Sequence, residues 1–297
     1  MIINNSIDFL ICNYNCEDVI IDCLKSIIKL DYKNINILIY DNKSSDNSIN
    51  EIKLLNSKNI ILFEGNENIG YGKAINFLAK KSKANFIFIL NPDTILNFKI
   101  NDLQKLINNM YSNNIIWGFN IVGKTGLIQN FTNKLPGLFW LVGSLLRKSL
   151  PWIINPFYYL FYSIKTTKYN IDEMQLVPGC GLLMKKDIFI KIGMFNPAYF
   201  LYFEDTELLL KAHQHNVKIF KSSLTIIHDS SFSFKKSNNI IKIEEFKSAL
   251  LFFKNNYSYS YFIFAKILLK LICLISFTNP FNYFNNKHKY FYLLIKI

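Results

Sequence analysis

The sequence predicts an α/β fold built on a largely parallel central sheet. In the first half of the chain, short apolar runs of strand length alternate with amphipathic runs of helical spacing, which is typical of strands joined by crossover helices. The chain has 297 residues, of which 51% are hydrophobic, so it can bury a large core of one to two domains. The alternation and the apolar content together predict a globular α/β unit at the start of the chain.

The individual elements follow from the spacing of the apolar residues. Within Asp18–Ile28, five aliphatic residues recur at helical spacing on one side. The predicted order is strand Ile7–Cys12, helix Asp18–Ile28, strand Asn36–Tyr40, helix Ser48–Leu55, strand Ile60–Phe63, helix Gly72–Lys80 and strand Phe86–Leu90. Later, strand-like character near Met174–Met184 precedes a helix at Asp205–His215 and strands at Val217–Phe220 and Leu224–His228.

The pattern breaks at about Asn130, where two aromatic-rich apolar runs follow, Leu138–Leu146 and Leu150–Ile164. Neither reaches the ~20 apolar residues of a simple membrane span. A buried helical hairpin and an insertion that faces a membrane or an acceptor both fit these runs. We therefore predict a first domain over residues 1–235, with an aromatic-rich insertion at about 130–170, and a helical extension over residues 236–297.

The extension contains an almost wholly apolar run, Tyr261–Phe277, which only Lys266 and Lys270 interrupt. Because these lysines are four residues apart, they share one face of a helix. This arrangement favours a helix that lies in the headgroup region of a membrane over one that spans it. A helix packed on the core, with the lysine heads in water, is the alternative. We expect the extension to attach the protein peripherally to an anionic membrane surface.

Charge and cysteine content bear on partners and location. The net charge of +13 favours anionic partners such as nucleotide phosphates, nucleic acid or anionic lipid, although a general richness in Lys, Asn and Ile weakens that argument. The five cysteines include no CxxC pair, which argues against a disulfide framework and against a zinc ribbon. The first eleven residues lack the features of a secretory signal, so we expect a cytoplasmic protein on the cytoplasmic face of the inner membrane.

Polar segments follow the predicted strands, at the edge of the sheet where ligands of open α/β folds bind. The first strand leads into Asn13, Tyr14 and Asn15, whose amides and aromatic plane can face a ligand. The second ends at Asp41, which can accept the imide N–H of uracil or thymine. The third is followed by Asn68–Asn76, where two glycines let the backbone approach a ligand. Each segment alone also fits an ordinary turn from strand to helix.

Carboxylates suited to metal or acid–base chemistry occur at two further places. Asp93 follows the fourth strand and Pro92, a position suited to holding a divalent cation. Glu204 and Asp205 lie with a third acid beside several aromatic residues, and such clustering indicates function, although the dipole of a helix also favours acids at its start. His228 ends an apolar strand, where it can be a neutral metal ligand or a structural residue.

Together and in this order, the segments resemble the family 2 glycosyltransferases of GT-A fold, in particular a bacterial rhamnosyltransferase-like branch. The resemblance covers roughly residues 5–232 and is carried by Asn13–Asn15, Asp41–Asn42 with Ser45–Asp46, Asn68–Asn76, Leu90–Asp93, Gly179–Lys186, Gly193–Asn196, Tyr202–Glu207 and His228. It implies a mostly parallel sheet flanked by helices. It also implies an inverting enzyme that moves a sugar from dTDP-rhamnose or a UDP-sugar to a hydroxyl of a cell-surface glycan or a lipid-linked acceptor.

The resemblance implies roles for individual residues. The donor would be bound by Asn13, Tyr14, Asn15, Asp41, Asn68, Gly70, Lys73 and Asn91. Within this set, Asp41 would contact the pyrimidine base and Tyr14 would stack near it. Asp93 would hold a divalent metal, Mn²⁺ or Mg²⁺, with His228, and Asp205 would be the catalytic base, supported by Glu204.

Three positions depart from the family pattern. Asn91 replaces the first acid of the metal motif, as is usual in this branch. Asn196 and Glu207 stand where Asp is common. The first of these two changes loses a charge in a turn, and the second keeps it.

Two other classes of protein fit parts of the sequence. A basic, aromatic-rich protein could bind nucleic acid, but the basic residues here are scattered rather than clustered with the aromatic residues. A nucleotidyltransferase would also use an α/β sheet and metal-binding carboxylates. It would need a triphosphate loop rich in Gly and Arg or Lys near the N-terminus, and Ile7–Asn15 contains none. We therefore favour the glycosyltransferase and expect no nucleic-acid partner.

Overall fold

The computed structural model describes residues 6–129, 135–137, 176–229 and 240–278. These residues belong to two compact units. The first unit contains residues 6–129, 176–200 and 204–229, and the second contains residues 135–137, 201–203 and 240–278. The predicted apolar runs Leu138–Leu146 and Leu150–Ile164 lie outside the described residues.

The first unit is an eight-stranded sheet flanked by helices, so the predicted α/β class is confirmed. Its strands are β1 (Ile7–Asn13), β2 (Ile35–Asp41), β3 (Ile60–Glu64), β4 (Phe86–Leu90), β5 (Thr94–Leu96), β6 (Ile115–Val122), β7 (Gly181–Lys185) and β8 (Lys218–His228). Its helices are α1 (Ile20–Ile28), α2 (Ser48–Leu54), α3 (Tyr71–Lys81), α4 (Ile100–Met110), α5 (Lys186–Lys191) and α6 (Glu204–Gln214).

The sheet has the strand order β3-β2-β1-β4-β7-β6-β8-β5. The first four strands in this order are parallel to one another, with α1, α2 and α3 as the connecting helices that parallel strands require. Among the remaining neighbours, β6 and β8 are parallel, whereas β4–β7, β7–β6 and β8–β5 are antiparallel. The described sheet is therefore parallel where the strand–helix alternation is regular and mixed beyond it.

The centre of the sheet is apolar on both faces. Every residue of β1 and of β4 is buried, which explains why these strands do not alternate between apolar and polar residues and why, apart from Asp8 and Asn13 of β1, they are apolar. The rings of Phe9, Phe88, Phe119 and Phe98 stack in that order, with centroids 5.0, 4.9 and 5.8 Å apart. Such ring pairs contribute about 0.5–1.5 kcal/mol each beyond their buried area.

One predicted break in the sheet is wrong. The two predicted runs, Val217–Phe220 and Leu224–His228, belong to a single strand, β8, which begins at Lys218. This is because β8 pairs with β6 on both sides of the polar stretch, with Lys221 opposite Gly118 and Thr225 opposite Asn120. The register shifts between Gly118 and Asn120 on β6, and this irregularity accommodates the polar stretch of β8.

The fold brings several strand ends to one edge. The register of β1 and β2 places Asn13 directly beside Asp41. The antiparallel pair β5–β8 places Thr94 opposite His228, so Asp93 lies next to that histidine. Residues that are distant in the sequence therefore meet because of strand pairing.

The second unit contains two helices, α7 (Ile240–Asn256) and α8 (Tyr259–Thr278). Aromatic rings pack closely within it, and the centroids of Tyr257 and Tyr261 are 4.5 Å apart. The hydroxyl of Tyr257 donates to the carbonyl of Pro136 at 2.8 Å. The predicted helix in Tyr261–Phe277 is thus present as α8. In the part of the chain that the structure describes, no helix is both long and apolar enough to cross a membrane.

Candidate active site

The ends of β1 and β2 hold a buried amide–carboxylate pair. Asn13 and Asp41 are both fully buried, and the Asn13 Nδ2 donates to Asp41 Oδ2 at 2.7 Å and to Ser48 Oγ at 2.9 Å. Ser44 donates from its backbone N–H to Asp41 Oδ1 at 2.8 Å and from its hydroxyl to Oδ2 at 2.6 Å. Protein groups therefore fix both oxygens of this carboxylate.

The two ends of the Asn13 amide differ in their contacts. Its Nδ2 donates to Asp41, whereas its buried Oδ1 has no hydrogen-bond partner among the residues that the structure describes. A polar residue at the end of a strand can face either a ligand or the neighbouring strand, and Asn13 faces the neighbouring strand through Nδ2. The donor-binding role of Asn13 stays a prediction.

Tyr14 and Asn15 lie at the surface beside this pair. The ring of Tyr14 is 49% exposed and is available to a planar ligand. Asn15 has a left-handed backbone, with φ of 53°, and its N–H donates to Ser44 Oγ at 2.9 Å. Its Oδ1 accepts the N–H of Ser45 at 2.7 Å. The segments after β1 and β2 are therefore joined to each other.

The loop before α3 is shaped by Asn42. Its Oδ1 accepts the N–H of Ile69 at 3.2 Å, and its Nδ2 lies 3.4 Å from the Gly70 carbonyl. Asn68 Oδ1 accepts the N–H of Gly70 at 3.0 Å. Gly70 has φ of 86°, and a Cβ there would lie only 2.6 Å from the Phe200 carbonyl oxygen, so the loop requires glycine. Lys73, in the first turn of α3, is exposed.

Tyr71 links this loop to the other strand ends. Its hydroxyl donates to Asn91 Oδ1 at 3.0 Å, so the predicted donor residue Asn91 is held by α3. Burial, followed by the carboxyl groups of Glu204 and Asp205, raises the pKa of Tyr71 well above its usual range. The phenol is therefore a neutral hydrogen-bond donor next to the acidic residues.

Asp93 and His228 form a second pair at this edge. His228 Nε2 lies 3.4 Å from Asp93 Oδ1, and both side chains are largely buried. Gln129 contacts the histidine twice: its Nε2 donates to the His228 carbonyl at 3.1 Å, and its Oε1 lies 3.4 Å from Nδ1. In the tautomer with the proton on Nδ1, that N–H points at Gln129 Oε1, and the lone pair of Nε2 faces Asp93.

This pair fits two neighbouring ligands of one divalent cation. Metal–oxygen and metal–nitrogen bonds of about 2.0–2.2 Å can span the separation between Asp93 Oδ1 and His228 Nε2. Among the residues that the structure describes, no group of three or more His, Cys, Asp or Glu side chains could hold a metal. The two residues would therefore provide only part of the coordination shell of such a cation.

Glu204 and Asp205 begin α6 and form the acidic pair. Burial, and then the charge of Asp205, raises the pKa of Glu204 to about 8. Its Oε2 has no hydrogen-bond partner among the residues that the structure describes. Burial also raises the pKa of Asp205, while hydrogen bonds from Thr206 and from the backbone of Gly179 oppose the rise. At neutral pH, Glu204 is thus mainly protonated and Asp205 is the better candidate for the ionised group.

The Gly179–Cys180 segment lies beside both the segment that contains Asp93 and the acidic pair, because the Cys180 carbonyl accepts the N–H of Asn91 at 3.2 Å and Gly179 approaches Asp205. Burial raises the pKa of the Cys180 thiol, and the charges of both Asp93 and Asp205 raise it further. Position 179 requires glycine for the close approach of the backbone to Asp205, because a Cβ there would lie 2.3 Å from Asp205 Oδ2.

Several residues of this site were not predicted individually. They are Ser44, Tyr71, Gln129, Gly179 and Cys180. Tyr71, Gly179 and Cys180 lie inside segments that carry the family resemblance, whereas Ser44 and Gln129 lie outside them. What the sequence could not indicate is that they act through other side chains.

The sequence matches the family described as Glycosyl transferase family 2 over residues 8–193, which is more than half of the chain. A relative from Escherichia coli, the UDP-Glc:alpha-D-GlcNAc-diphosphoundecaprenol beta-1,3-glucosyltransferase WfgD, is 30% identical over 192 residues, or 59% of this chain and 73% of the relative. An uncharacterized glycosyltransferase of Rickettsia felis is 27% identical over 68% of this chain. The chain spans about a third of the length of the Rickettsia relatives that it matches.

Solved glycosyltransferase structures have the same fold. The mannosyltransferase PcManGT from Pyrobaculum calidifontis, in complex with GDP-Man and Mn²⁺, has a TM-score of 0.56 at 12% identity, over 84% of this chain and 63% of that protein. Residues 1–349 of Staphylococcus aureus TarS have a TM-score of 0.53 at 14% identity, over 98% of this chain and 88% of that one. These likenesses confirm the GT-A type of fold, and the family match shows that the chain belongs to glycosyl transferase family 2.

Proposed function

We propose that this protein transfers a sugar from a nucleotide-diphosphate donor to a hydroxyl group of a glycan or a lipid-linked acceptor, with inversion of configuration. The observation that carries the proposal is the convergence of the Asp93–His228 pair and the Glu204–Asp205 pair near Cys180. WfgD, by its name, uses UDP-glucose and a diphosphoundecaprenol-linked acceptor. This likeness supports a lipid-linked acceptor.

Asp205 is the general base in this proposal. Its carboxylate takes the proton of the acceptor hydroxyl while the hydroxyl oxygen forms a bond to the anomeric carbon of the sugar. The bond between that carbon and the diphosphate oxygen breaks on the opposite face, so the configuration inverts. Neutral Glu204 beside the base adds no second negative charge, and this allows Asp205 to be ionised at neutral pH.

Asp93 and His228 would hold a divalent metal, Mn²⁺ or Mg²⁺, and Gln129 would orient the histidine. A divalent cation supplies positive charge that stabilises a departing diphosphate. The small number of protein ligands is consistent with a site that diphosphate oxygens complete. The complex of PcManGT with GDP-Man and Mn²⁺ supports this assignment.

The donor nucleotide would bind along the ends of β1 and β2 and the start of α3. Tyr14 would stack on the base, and Asn15 would shape the pocket. A pyrimidine imide N–H would donate to the carboxylate of Asp41, which already accepts hydrogen bonds from Ser44 and Asn13. Asn68, Gly70, Lys73 and Asn91 would border the phosphates and the sugar, with the N-terminus of α3 favouring negative charge.

A uridine-diphosphate sugar is the first choice of donor, because a relative that uses UDP-glucose matches this chain. dTDP-rhamnose is the alternative, since uracil and thymine present the same imide to Asp41. Both donors therefore fit the proposed nucleotide site.

We also propose that the second unit docks the enzyme on the cytoplasmic face of the membrane. On α8, Phe264, Ile267 and Leu271 lie three and four residues apart and are each more than half exposed, while Lys266 and Lys270 lie between them in sequence. An apolar stripe with adjacent ammonium groups suits an anionic lipid surface. Docking there would keep the active site near a lipid-linked acceptor.

The proposed function can be tested with a thermal-shift panel of sugar nucleotides, each with Mn²⁺, with Mg²⁺ or with a chelator. A ligand that binds only the folded state raises its apparent stability by mass action. We expect UDP-sugars or dTDP-rhamnose to raise the Tm only when a metal is present, and purine nucleotides to have a smaller effect. Transfer with the donor that binds should release a nucleoside diphosphate. Release of pyrophosphate would instead identify a nucleotidyltransferase.

A further inference from the structure

A buried cluster around Glu207 joins α6 to the loop that precedes it, residues 195–200. The Glu207 side chain is 5% exposed. Its Oε2 accepts the Tyr199 hydroxyl at 2.5 Å, and its Oε1 accepts Asn196 Nδ2 at 2.9 Å and Lys211 Nζ at 3.0 Å. Burial opposes ionisation, but these hydrogen bonds hold the pKa of Glu207 below its usual range. The carboxylate is therefore a charged anchor for the loop.

The same loop is fixed to α3. Asn76 Nδ2 donates to the Phe195 carbonyl at 2.7 Å, and its Oδ1 accepts the Phe195 N–H at 3.1 Å. At the other end of the loop, the Phe200 carbonyl accepts the N–H of Tyr71 at 3.0 Å. The first turn of α3 is part of the proposed donor site, so the loop connects that site to α6.

We infer that Glu207 is a positioning residue that sets the place of Asp205 relative to the donor site, by bonding α6 to the 195–200 loop. The inference rests on the proposed role of Asp205 as the base. Both acids lie in the first turn of α6, so a shift of the helix at Glu207 moves Asp205 as well. A misplacement of about 1 Å at a reacting group can lower the rate ~10²-fold.

The contact between Asn196 and Glu207 depends on an amide facing a carboxylate. Asn196 Oδ1 accepts the N–H of Ala198 at 3.0 Å, while its Nδ2 donates to Glu207. An aspartate at position 196 could still accept from Ala198, but it would place a second carboxylate within hydrogen-bonding distance of Glu207. In this chain, the amide at position 196 and the carboxylate at position 207 therefore form a matched pair.

The matched pair can be reversed by substitution. Asn196→Asp alone sets two carboxylates against each other and should loosen the loop. In the double variant N196D/E207Q, the amide introduced at position 207 can donate to the new carboxylate, so the polarity of the contact is inverted and the bond is restored. Lys211→Gln is the control, because Lys211 lies on α6 itself and its ion pair with Glu207 does not reach the loop.

For each variant of the full chain, we would measure kcat for sugar transfer, the Kd of the donor, and amide hydrogen exchange at the start of α6. We expect Glu207→Ala and Asn196→Asp to lower kcat roughly 10–10²-fold with donor Kd within about threefold of the original, and to speed exchange. Glu207→Gln should retain most activity, because its Oε1 can accept from Asn196 while its amide donates to Tyr199. The double variant should recover transfer to within about threefold.

The outcomes separate this inference from the proposed function. If Asn196→Asp is no slower than Lys211→Gln, or if the double variant stays as slow as Asn196→Asp alone, Glu207 does not position Asp205. If exchange follows the expected pattern but the unmodified chain transfers no sugar from any donor, the loop–helix bond stands and the proposed function fails. Should Glu207→Ala not fold, the Asn196→Asp and double variants still decide the question.

Discussion

Two buried carboxylates at the proposed active site differ in how far the protein satisfies them. Asp41, at the end of β2, accepts hydrogen bonds on both oxygens from Asn13 and Ser44. Glu204, at the start of α6, is almost as buried, yet its Oε2 has no partner among the described residues and its pKa is raised to about 8. The ends of β1 and β2 (the β1–β2 edge of the site) would therefore supply a fixed binding surface. The start of α6 (the α6 edge of the site) has desolvated acids whose protonation can change. Such a difference is expected where recognition and proton transfer occupy separate parts of one site.

The largest expected effect belongs to the metal-type pair that lies between these edges. Asp93→Ala removes the carboxylate next to His228 and should abolish metal-dependent turnover while leaving the Tm nearly unchanged. The affinity for Mn²⁺ in the presence of UDP, measured by calorimetry, should fall as well. This measurement tests metal binding by Asp93 without an activity assay. Asp102→Ala removes an exposed carboxylate of α4 and is the control. Near-normal turnover of Asp93→Ala in metal-replete buffer would remove Asp93 from the site.

The next effect tests whether the α6 edge performs the proton transfer. Asp205→Asn keeps the shape of the side chain but cannot accept a proton, so kcat should fall roughly 10²–10⁴-fold. The donor Kd should change little, because the base faces the acceptor. If the variant loses donor affinity in proportion to its loss of rate, Asp205 belongs to the nucleotide site. Donor binding and proton transfer would then not be separated between β1–β2 and α6.

The contrast also explains what could be predicted from the sequence. β1 and β4 are buried on both faces, so they are apolar apart from Asp8 and Asn13 of β1, and they can be recognised as strands from the sequence. β5 has only three residues, and β6 mixes Trp117, Gly118 and Asn120 into its apolar run. The pairing of these two strands with β8 stabilises them, and pairing is a property of the fold rather than of the local sequence.

Within the site, residue type was predictable but orientation was not. Asn13 is predicted to bind the donor, and only the parallel register shows that its Nδ2 donates to Asp41. For Glu204 and Asp205, by contrast, the environment itself could be predicted, because their clustering beside aromatic residues indicates an unusual setting for acids. Roles that act through a neighbour, such as that of Gln129 on His228, depend on contacts between residues 99 positions apart.

A smaller effect concerns the protonation of Glu204. The pKa of about 8 in the folded protein lies above the ordinary value of 4.5, so the folded state holds a proton that the unfolded state releases between these values. The contribution of Glu204 to stability is therefore complete below pH 4.5 and is lost as the pH rises towards 8. Glu204→Gln, which cannot ionise, should raise the Tm by about 3 °C relative to the original chain at pH 8.5 and give little gain at pH 4.5.

The matched control for this measurement is Glu67→Gln, a substitution of an exposed glutamate of the same unit. Its Tm should follow that of the unmodified chain at both pH values. If Glu204→Gln gains no stability at pH 8.5 relative to pH 4.5, then Glu204 is not held neutral by burial, and the two edges of the site do not differ in the way described above.

The smallest effect on chemistry is expected from the membrane stripe of α8. Replacing Phe264, Ile267 and Leu271 together by serine removes the exposed apolar side chains but keeps both lysines. Binding to vesicles that contain phosphatidylglycerol should fall about tenfold in a flotation assay, since buried apolar area provides much of the affinity of an interfacial helix. High salt should weaken the binding of the unmodified chain as well, because it screens the lysines.

Leu54→Ser, which removes an exposed leucine on α2 of the first unit, should float like the unmodified chain. Transfer to a short soluble acceptor should be unchanged in the triple variant, whereas transfer to a lipid-linked acceptor should slow. If the unmodified chain fails to float with these vesicles at low salt, α8 does not dock on lipid, and the stripe has to be assigned to another contact.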